Sequence, residues 1–214
     1  MIIVFISDTH MLHPDLKVPP GDVLIHAGDA TMNGKESELY KFSKWFTALP
    51  HKHKIYVAGN HDWIFEKSEE KAIGILGESV IYLKDSEVTI GGLRIWGSPW
   101  QPWFYDWAFN LLRGDQIRKK WDLIPEGIDI VITHGPPYGY GDTARGGRLV
   151  GCKDLLETLD RVKPQVHISG HIHEGYGSSQ HGPTHCINAS VCDFRYRLRN
   201  EPIIVDLEPD DRYS

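Results

Sequence analysis

Five short apolar runs, each ending at a cluster of Gly, Asp, Thr or His, frame this sequence. They are IIVFIS (2–7), DVLIHAG (22–28), KIYVAG (54–59), DIVITHG (129–135) and QVHISG (165–170). Continuous β-branched runs of this length suit strands covered on both faces. Helical patterns lie between them. Residues 36–49 place Leu39, Phe42, Phe46 and Leu49 on one face, and residues 152–161 do the same with Leu155, Leu156 and Leu159. Strands alternating with helices predict an α/β domain.

Two stretches break the alternation. EVTIGGLRIWG (87–97) turns at Gly91-Gly92 and predicts a β-hairpin. THCINAS (184–190) and PIIVDLE (202–208) read as late strands with no helix between them. The sheet is therefore expected to be mixed, with a second antiparallel layer. With no linker or repeat in view, residues 1–207 are expected to form one domain, with 208–214 as a polar C-terminal tail.

The bulk properties exclude several classes. The chain has 214 residues, of which 41% are hydrophobic, enough for a sizeable core. Its net charge of −6 argues against a binder of long nucleic acid. Three cysteines, Cys152, Cys186 and Cys192, form no C-x-x-C pair, so neither a disulfide framework nor a cysteine zinc site is expected. The first run meets Asp8 too early for a membrane span or signal peptide, and a cytoplasmic protein is the expectation.

The chemistry sits just past the strands. Asp8 and His10 follow the first, Asp29 the second, Asn60, His61 and Asp62 the third, His134 the fourth, and His171 and His173 the fifth. The carboxyl ends of strands are where α/β sheets build ligand sites. Taken singly, each residue has an ordinary reading: a satisfied polar strand end, a Gly-Asp turn, or Asp62 as a helix N-cap. Their recurrence after five separate strands favours a shared site. Carboxylate, imidazole and amide donors without thiolate suit Mn, Fe or Zn. Even without His61 and Asp62, seven such donors exceed the roughly four that one zinc ion takes. Two ions sharing a carboxylate, roughly 3.5–4 Å apart, form a recurring device for phosphoester hydrolysis.

In this order, D-x-H, G-D, G-N-H-D, T-H-G-P-P and G-H-x-H, the chain resembles the calcineurin-like metallophosphoesterase superfamily over about residues 1 to 207. LPHKHKIYVAGNHD, SPWQPWFYDWAFNL and GHIHEGYG are similar to its metallophosphoesterase-domain-containing subfamily, found in animal brain and in microbes. The resemblance implies two mixed β-sheets packed face to face with helices outside, a four-layer α+β sandwich within the α/β class. It implies Asp8, His10 and His173 on one metal, Asn60, His134 and His171 on a second, and Asp29 bridging them. It implies that His61 is not a ligand but the catalytic group facing the phosphate. Some animal members carry Gly where His171 stands, so the imidazole retained here implies a competent second site. The implied cofactors are two divalent ions, manganese first, with iron or zinc as alternatives. The implied reaction is hydrolysis of a small phosphodiester, a 2',3'- or 3',5'-cyclic nucleotide, by a hydroxide between the ions. A phosphomonoesterase or nuclease of the same fold, and a non-catalytic metal-site scaffold, are the competing readings.

Other features divide between chemistry and packing. The loop WGSPWQPWFYDWAFNLLRG (96–114) is expected to be core or a subunit contact, hinting at a homodimer, with base stacking as the alternative. Arg148, with Asn60 and His61, is a candidate substrate contact, Arg148 through bidentate pairing to phosphate. His26 and His167 are expected as strand histidines, and His13, His51, His53, His181 and His185 as surface or loop residues. Asp62 and Glu174 are expected to orient imidazoles. With no cap insertion visible, the site is expected to be open and shallow.

Overall fold

A computed structural model describes residues 1–209 of the chain. Positions 210–214, part of the expected polar tail, lie outside the described residues. Among the described residues, one sheet is built from β1 (Ile2–Ile6), β2 (Val23–His26), β3 (His53–Tyr56), β4 (Ile81–Tyr82) and β15 (Ile203–Asp206). The second is built from β5 (Ser86–Ile90), β6 (Leu93–Ser98), β9 (Ile130–Thr133), β12 (Val166–Ser169), β13 (Gly177–His181) and β14 (Thr184–Asn188). Two short ribbons complete the set. β7 (Gln101–Pro102) pairs with β8 (Asn110–Leu111), and β10 (Thr143–Ala144) pairs with β11 (Arg148–Leu149). The helices are α1 (Glu36–Ala48), α2 (Trp63–Lys67), α3 (Glu69–Leu76), α4 (Asp115–Trp121) and α5 (Lys153–Val162).

Both sheets are mixed, as expected. The first runs β15-β1-β2-β3-β4, parallel except where β15 joins β1. The second runs β13-β14-β12-β9-β6-β5, with β14, β12, β9 and β6 parallel and both outer strands antiparallel. The hairpin turns at Gly91-Gly92, with φ of 58° and 88°. Those values match the two-residue turn whose twist suits flanking strands.

Residue alternation along the strands makes the layers. Ile3, Phe5, Ile25 and Ile55 of the first sheet meet Ile95, Ile130, Ile132 and Ile168 of the second in one buried cluster. The opposite faces take helices. Val4, Ile6 and Leu24 pack on Leu39, Phe42 and Phe46 of α1, whereas Val131 and Cys186 pack on α4 and α5. This is the helix–sheet–sheet–helix sandwich that the family resemblance implies. The consequence for function is geometric. Parallel strands of both sheets deliver their carboxyl ends to one rim, where Ser7 of the first sheet is hydrogen-bonded to Ala189 and Val191 of the second.

Several expectations are corrected. His13 and His51 are buried, not surface residues. His13 packs on Phe42 and Trp45, and burial pulls its pKa down to about 4. Leu156 is only half-buried, while α5 closes with buried Val162. The polar strand β13 had no hydrophobic signal to announce it, since it is an outer strand held by its ladder with β14. Cys152, Cys186 and Cys192 are buried free thiols. Among the described residues no helix is long and apolar enough to cross a membrane.

Ile132 has no exposed surface and lies between the two sheets. Ile132→Ala is expected to lower unfolding free energy by about 2–5 kcal/mol, measured by urea denaturation. A loss below about 1 kcal/mol would contradict the tight sheet-on-sheet packing.

Candidate metal centre

Both sheets contribute to the rim cluster. Asp8 and His10 leave β1, Asp29 leaves β2, and Asn60 and His61 leave β3, whereas His134 leaves β9 and His171 and His173 leave β12. The backbone there is unusual. Asp8, His10, Asp29 and His171 have φ of 55°, 39°, 60° and 65°. A non-glycine residue in this left-handed region costs of order 1–3 kcal/mol and persists only where neighbours enforce it. Here they do. The amide of Asp8 donates to Gly28 O at 2.9 Å, and that of His10 to Asp29 O at 3.0 Å. The amide of His171 donates to the Asp8 carboxylate at 3.0 Å.

Close backbone approach is equally specific. A methyl group on Gly170 would collide with Asp8 Oδ2, and one on Gly59 would collide with Asp29 Oδ1. Only glycine lets these segments pass the carboxylates.

Among the described residues the donor atoms form three overlapping groups, in which His10, Asp29 and His61 link two outer ones, Asp8–His10–His173 and Asp29–His134–His171. His10 Nε2 lies 3.3 Å from His173 Nε2 and 3.8 Å from Asp8 Oδ1, and His173 Nε2 lies 3.4 Å from that same oxygen. In the other group His134 Nε2 lies 3.0 Å from Asn60 Oδ1 and 3.3 Å from Asp29 Oδ2. Asp29, His134 and His171 gather their donors within one small volume. Asp29 Oδ2 is also 3.8 Å from His10 Nε2, which makes it the atom between the groups. Ligands about 2.0–2.2 Å from an ion stand about 2.9–3.6 Å from one another. The observed spacings fall in or just above that range, so the residues present fit divalent ions.

Imidazole orientation supports the same fit. His134 Nδ1 meets Ala27 O at 2.8 Å, His173 Nδ1 meets Asp193 O at 2.9 Å, and His61 Nδ1 meets Met32 O at 2.7 Å. Each carbonyl accepts the Nδ1 hydrogen, which leaves Nε2 free to take a proton or a metal. Burial alone lowers the pKa of His134, yet Asp29 outweighs it and raises it to about 9. Burial likewise opposes Asp8 at His173, whose pKa also rises to about 9. Asp8 and Asp29 are held well below the carboxylate range, because the imidazoles overcome the burial penalty. By contrast, burial drives His10 down to about 4 and His171 down to about 3.

The supporting residues differ from those expected. Asp62 bonds to no imidazole among the described residues. Its carboxylate accepts from the amides of Asp29, Gly59 and Thr31 and from the Tyr56 hydroxyl, and so shapes the Asp29 turn. Glu174 is an exposed wall residue, with no hydrogen bond to an imidazole among the described residues. Ser190, not singled out in the sequence, donates to Asp8 Oδ2 at 2.7 Å. Tyr196 stands edge-on to His10 at 4.7 Å, also without a sequence signal. His26 and His167 are buried strand residues bonded to Thr9 and Thr133.

A cavity of about 530 Å³ opens over the cluster. It is not shallow. Its walls include Trp103, Phe104 and Trp107 of the aromatic loop, Arg148 and Leu149 of β11, and Phe194 and Tyr196. The tryptophan-rich loop therefore splits. Trp96 and Phe109 join the core, whereas Trp103 is 56% exposed at the cleft.

Comparison with known proteins agrees with this geometry. Residues 1–175 match the family model described as calcineurin-like phosphoesterase. The chain is 46% identical over 235 residues to metallophosphoesterase domain-containing protein 1 of Homo sapiens and of Mus musculus, covering 99% of this chain and 72% of each relative. One solved structure superposes with a TM-score of 0.68 at 17% identity, over 91% of both chains. A protein of Thermus thermophilus gives 0.57 at 14% identity, over 87% of this chain and 88% of its own. At such identities the structures speak for the fold alone.

Without a cation, His134 and His173 keep their Nε2 protons until pH approaches 9. A cation needs the bare nitrogens, so it must displace those protons. Metal uptake at pH 7 is expected to release about two protons, and apparent affinity to climb with pH until it levels near 9. Calorimetry in buffers of different ionisation enthalpy reads the release directly, and its absence would contradict the carboxylate–imidazolium pairs. Gly170→Ala is expected to lower bound metal, read by elemental analysis, because its methyl group displaces Asp8.

Proposed function

Because the chain belongs to the calcineurin-like phosphoesterase family, a family of metal-dependent phosphoesterases, we propose that the rim cluster is a dinuclear phosphodiesterase centre. The observation that carries this reading is Asp29 Oδ2, which lies 3.3 Å from His134 Nε2 and 3.8 Å from His10 Nε2 and so stands between the donors of the two outer groups. Asp8, His10 and His173 would hold one divalent ion, and Asn60, His134 and His171 the other, with Asp29 between them. Manganese is the first choice for this oxygen and imidazole set, with iron or zinc as alternatives. When bound, two such cations neutralise charge gathering on a phosphoryl group and make water acidic enough to attack it.

The protein's own groups supply the remaining work. Nδ1 of His61 is engaged by Met32 O, so Nε2 faces the cleft, 4.0 Å from Asp29 Oδ2. From there it serves the leaving oxygen as general acid or charge stabiliser. Asn60 and Arg148 both line the cavity, where the amide and the guanidinium would meet phosphate oxygens.

The substrate we propose is a small phosphodiester, a cyclic nucleotide first. A cavity of about 530 Å³ suits a ligand of that size, and its aromatic walls suit a planar base. The net charge of −6 supports a small substrate over long nucleic acid. The buried free thiols support a reducing, cytoplasmic setting.

The deciding experiment strips the protein of metal, reloads it with Mn²⁺, Fe²⁺ or Zn²⁺, and assays 2',3'- and 3',5'-cyclic nucleotides, an aryl phosphodiester, a monoester and single-stranded DNA. Turnover of phosphodiesters above monoesters, abolished by chelator, is expected. Silence with every metal would favour a scaffold. Asp8→Ala is expected to remove activity and reduce bound metal. His61→Ala is expected to cut kcat by about 10²–10⁴ while metal content stays near that of the parent.

A further inference from the structure

We propose that Trp107 is a positioning residue for His61: its indole, clipped to the Asn60–His61 turn, fixes the plane of the imidazole so that Nε2 points at the leaving oxygen. The inference rests on the reading of His61 given above. Its geometric basis is direct. The two rings stack with centroids 4.3 Å apart and planes 30° from parallel.

One hydrogen bond cannot orient a ring. The Met32 carbonyl holds Nδ1 at 2.7 Å, but the imidazole can still swing about that axis. Swinging would carry Nε2 out of line with the phosphate position. Two contacts oppose the motion. His10 presents its ring at 78° to His61 with centroids 4.7 Å apart, which blocks an edge. Trp107 covers a face. With the ring so bracketed, the His61 side chain is only 9% exposed and Nε2 is the nitrogen left for chemistry.

Trp107 is itself held in place. Its neighbour Ala108 is fully buried and donates its amide to Asn60 O at 3.3 Å. Phe109, also fully buried, donates its amide to Glu66 Oε1 of α2 at 2.7 Å. Phe109 sits at φ 58°, a backbone that a bulky residue adopts only under constraint. Residues 107–109 thus form a clamp from the aromatic loop onto the strand end that bears Asn60 and His61. The exposed tip, Trp103 to Asp106, lies beyond it. A tryptophan present only for packing would need no such registration with an imidazole, and would not be left half-buried at the cavity wall.

The test compares Trp107→Ala, Trp107→Leu and Trp107→Phe in the full, Mn²⁺-loaded protein, using aryl phosphodiesters whose leaving phenols range from acidic to weakly acidic. Trp107→Ala and Trp107→Leu are expected to lower kcat about tenfold or more on the poorest leaving group, far less on nitrophenol, with KM and metal content little changed. Trp107→Phe keeps a stacking face and is expected to restore most of the rate. The His61→Ala/Trp107→Ala double variant is expected to lose no more than His61→Ala alone. An equal loss on every leaving group, a loss of metal, failure of Trp107→Phe to rescue, or additive losses would each overturn the proposal.

A second measurement does not depend on turnover. In metal-free protein labelled at histidine, the His61 ring protons are expected to carry an upfield ring-current shift, assigned with His61→Ala and lost in Trp107→Leu. An unchanged resonance in Trp107→Leu overturns the proposal whatever the kinetics. A parent protein that hydrolyses no phosphodiester would instead overturn the phosphodiesterase reading and the kinetic role of Trp107 together. The resonance shift would still decide whether the indole holds the imidazole.

Discussion

Two carboxylates, Asp8 and Asp29, are buried at the rim of the sandwich, each 3.8 Å from His10 Nε2. A buried anion is tolerable only when a cation or several hydrogen-bond donors replace the lost water. Here imidazoles ring the carboxylates, and backbone amides and Ser190 satisfy the outward oxygens. Protons on His134 and His173 can balance the charge, and so can divalent ions. Proton and metal compete for the same nitrogens, and that competition links the acid–base behaviour of the cluster to its loading.

The sheets exist, from the site's viewpoint, to bring those groups together. Each donor set draws on both sheets. Asp8 and His10 come from the first and His173 from the second, while Asn60 and Asp29 come from the first and His134 and His171 from the second. Slippage between the layers would separate each set. The bonds joining Ser7 to Ala189 and Val191 tie the sheets at the rim, and the apolar interface behind them fixes the distance. Packing energy is thereby converted into positional accuracy. The left-handed backbone at four candidate ligands shows the cost, since each cost of order 1–3 kcal/mol must be offset by packing elsewhere.

The legible parts of the sequence were those with local signals. Continuous β-branched runs marked the inner strands, Gly91-Gly92 marked the hairpin, and strand-end polar residues marked the rim. Contacts across the chain left no such trace. Ser190 meets Asp8 across 182 positions, and nothing near Ser190 in the sequence announces it. His13 and His51 looked like loop residues because burial by α1 and by the 13–19 segment is a tertiary event. Asp62 lay in a recognisable motif yet acts on backbone amides rather than on imidazoles, a difference only geometry reveals. The aromatic loop was illegible in another sense. Four tryptophans in one stretch announced burial, but not which rings would face the cleft.

That loop completes the physical argument. The metal donors sit on rigid strand ends, where position is set by two packed sheets. The groups that would meet a substrate's organic part, Trp103, Phe104 and Phe194 on loops and Leu149 on the short ribbon strand β11, are exposed. Trp107 lies at the boundary between these regimes. It belongs to the aromatic loop by sequence, yet its neighbours are bonded to Asn60 and to Glu66, so it moves with the rigid frame. A site arranged in this way can change what it accepts by altering the loops while the phosphate end stays fixed. The stacked pair of His61 and Trp107 is where the two parts meet, and it passes the precision of the strand ends to the imidazole proposed to serve the leaving oxygen.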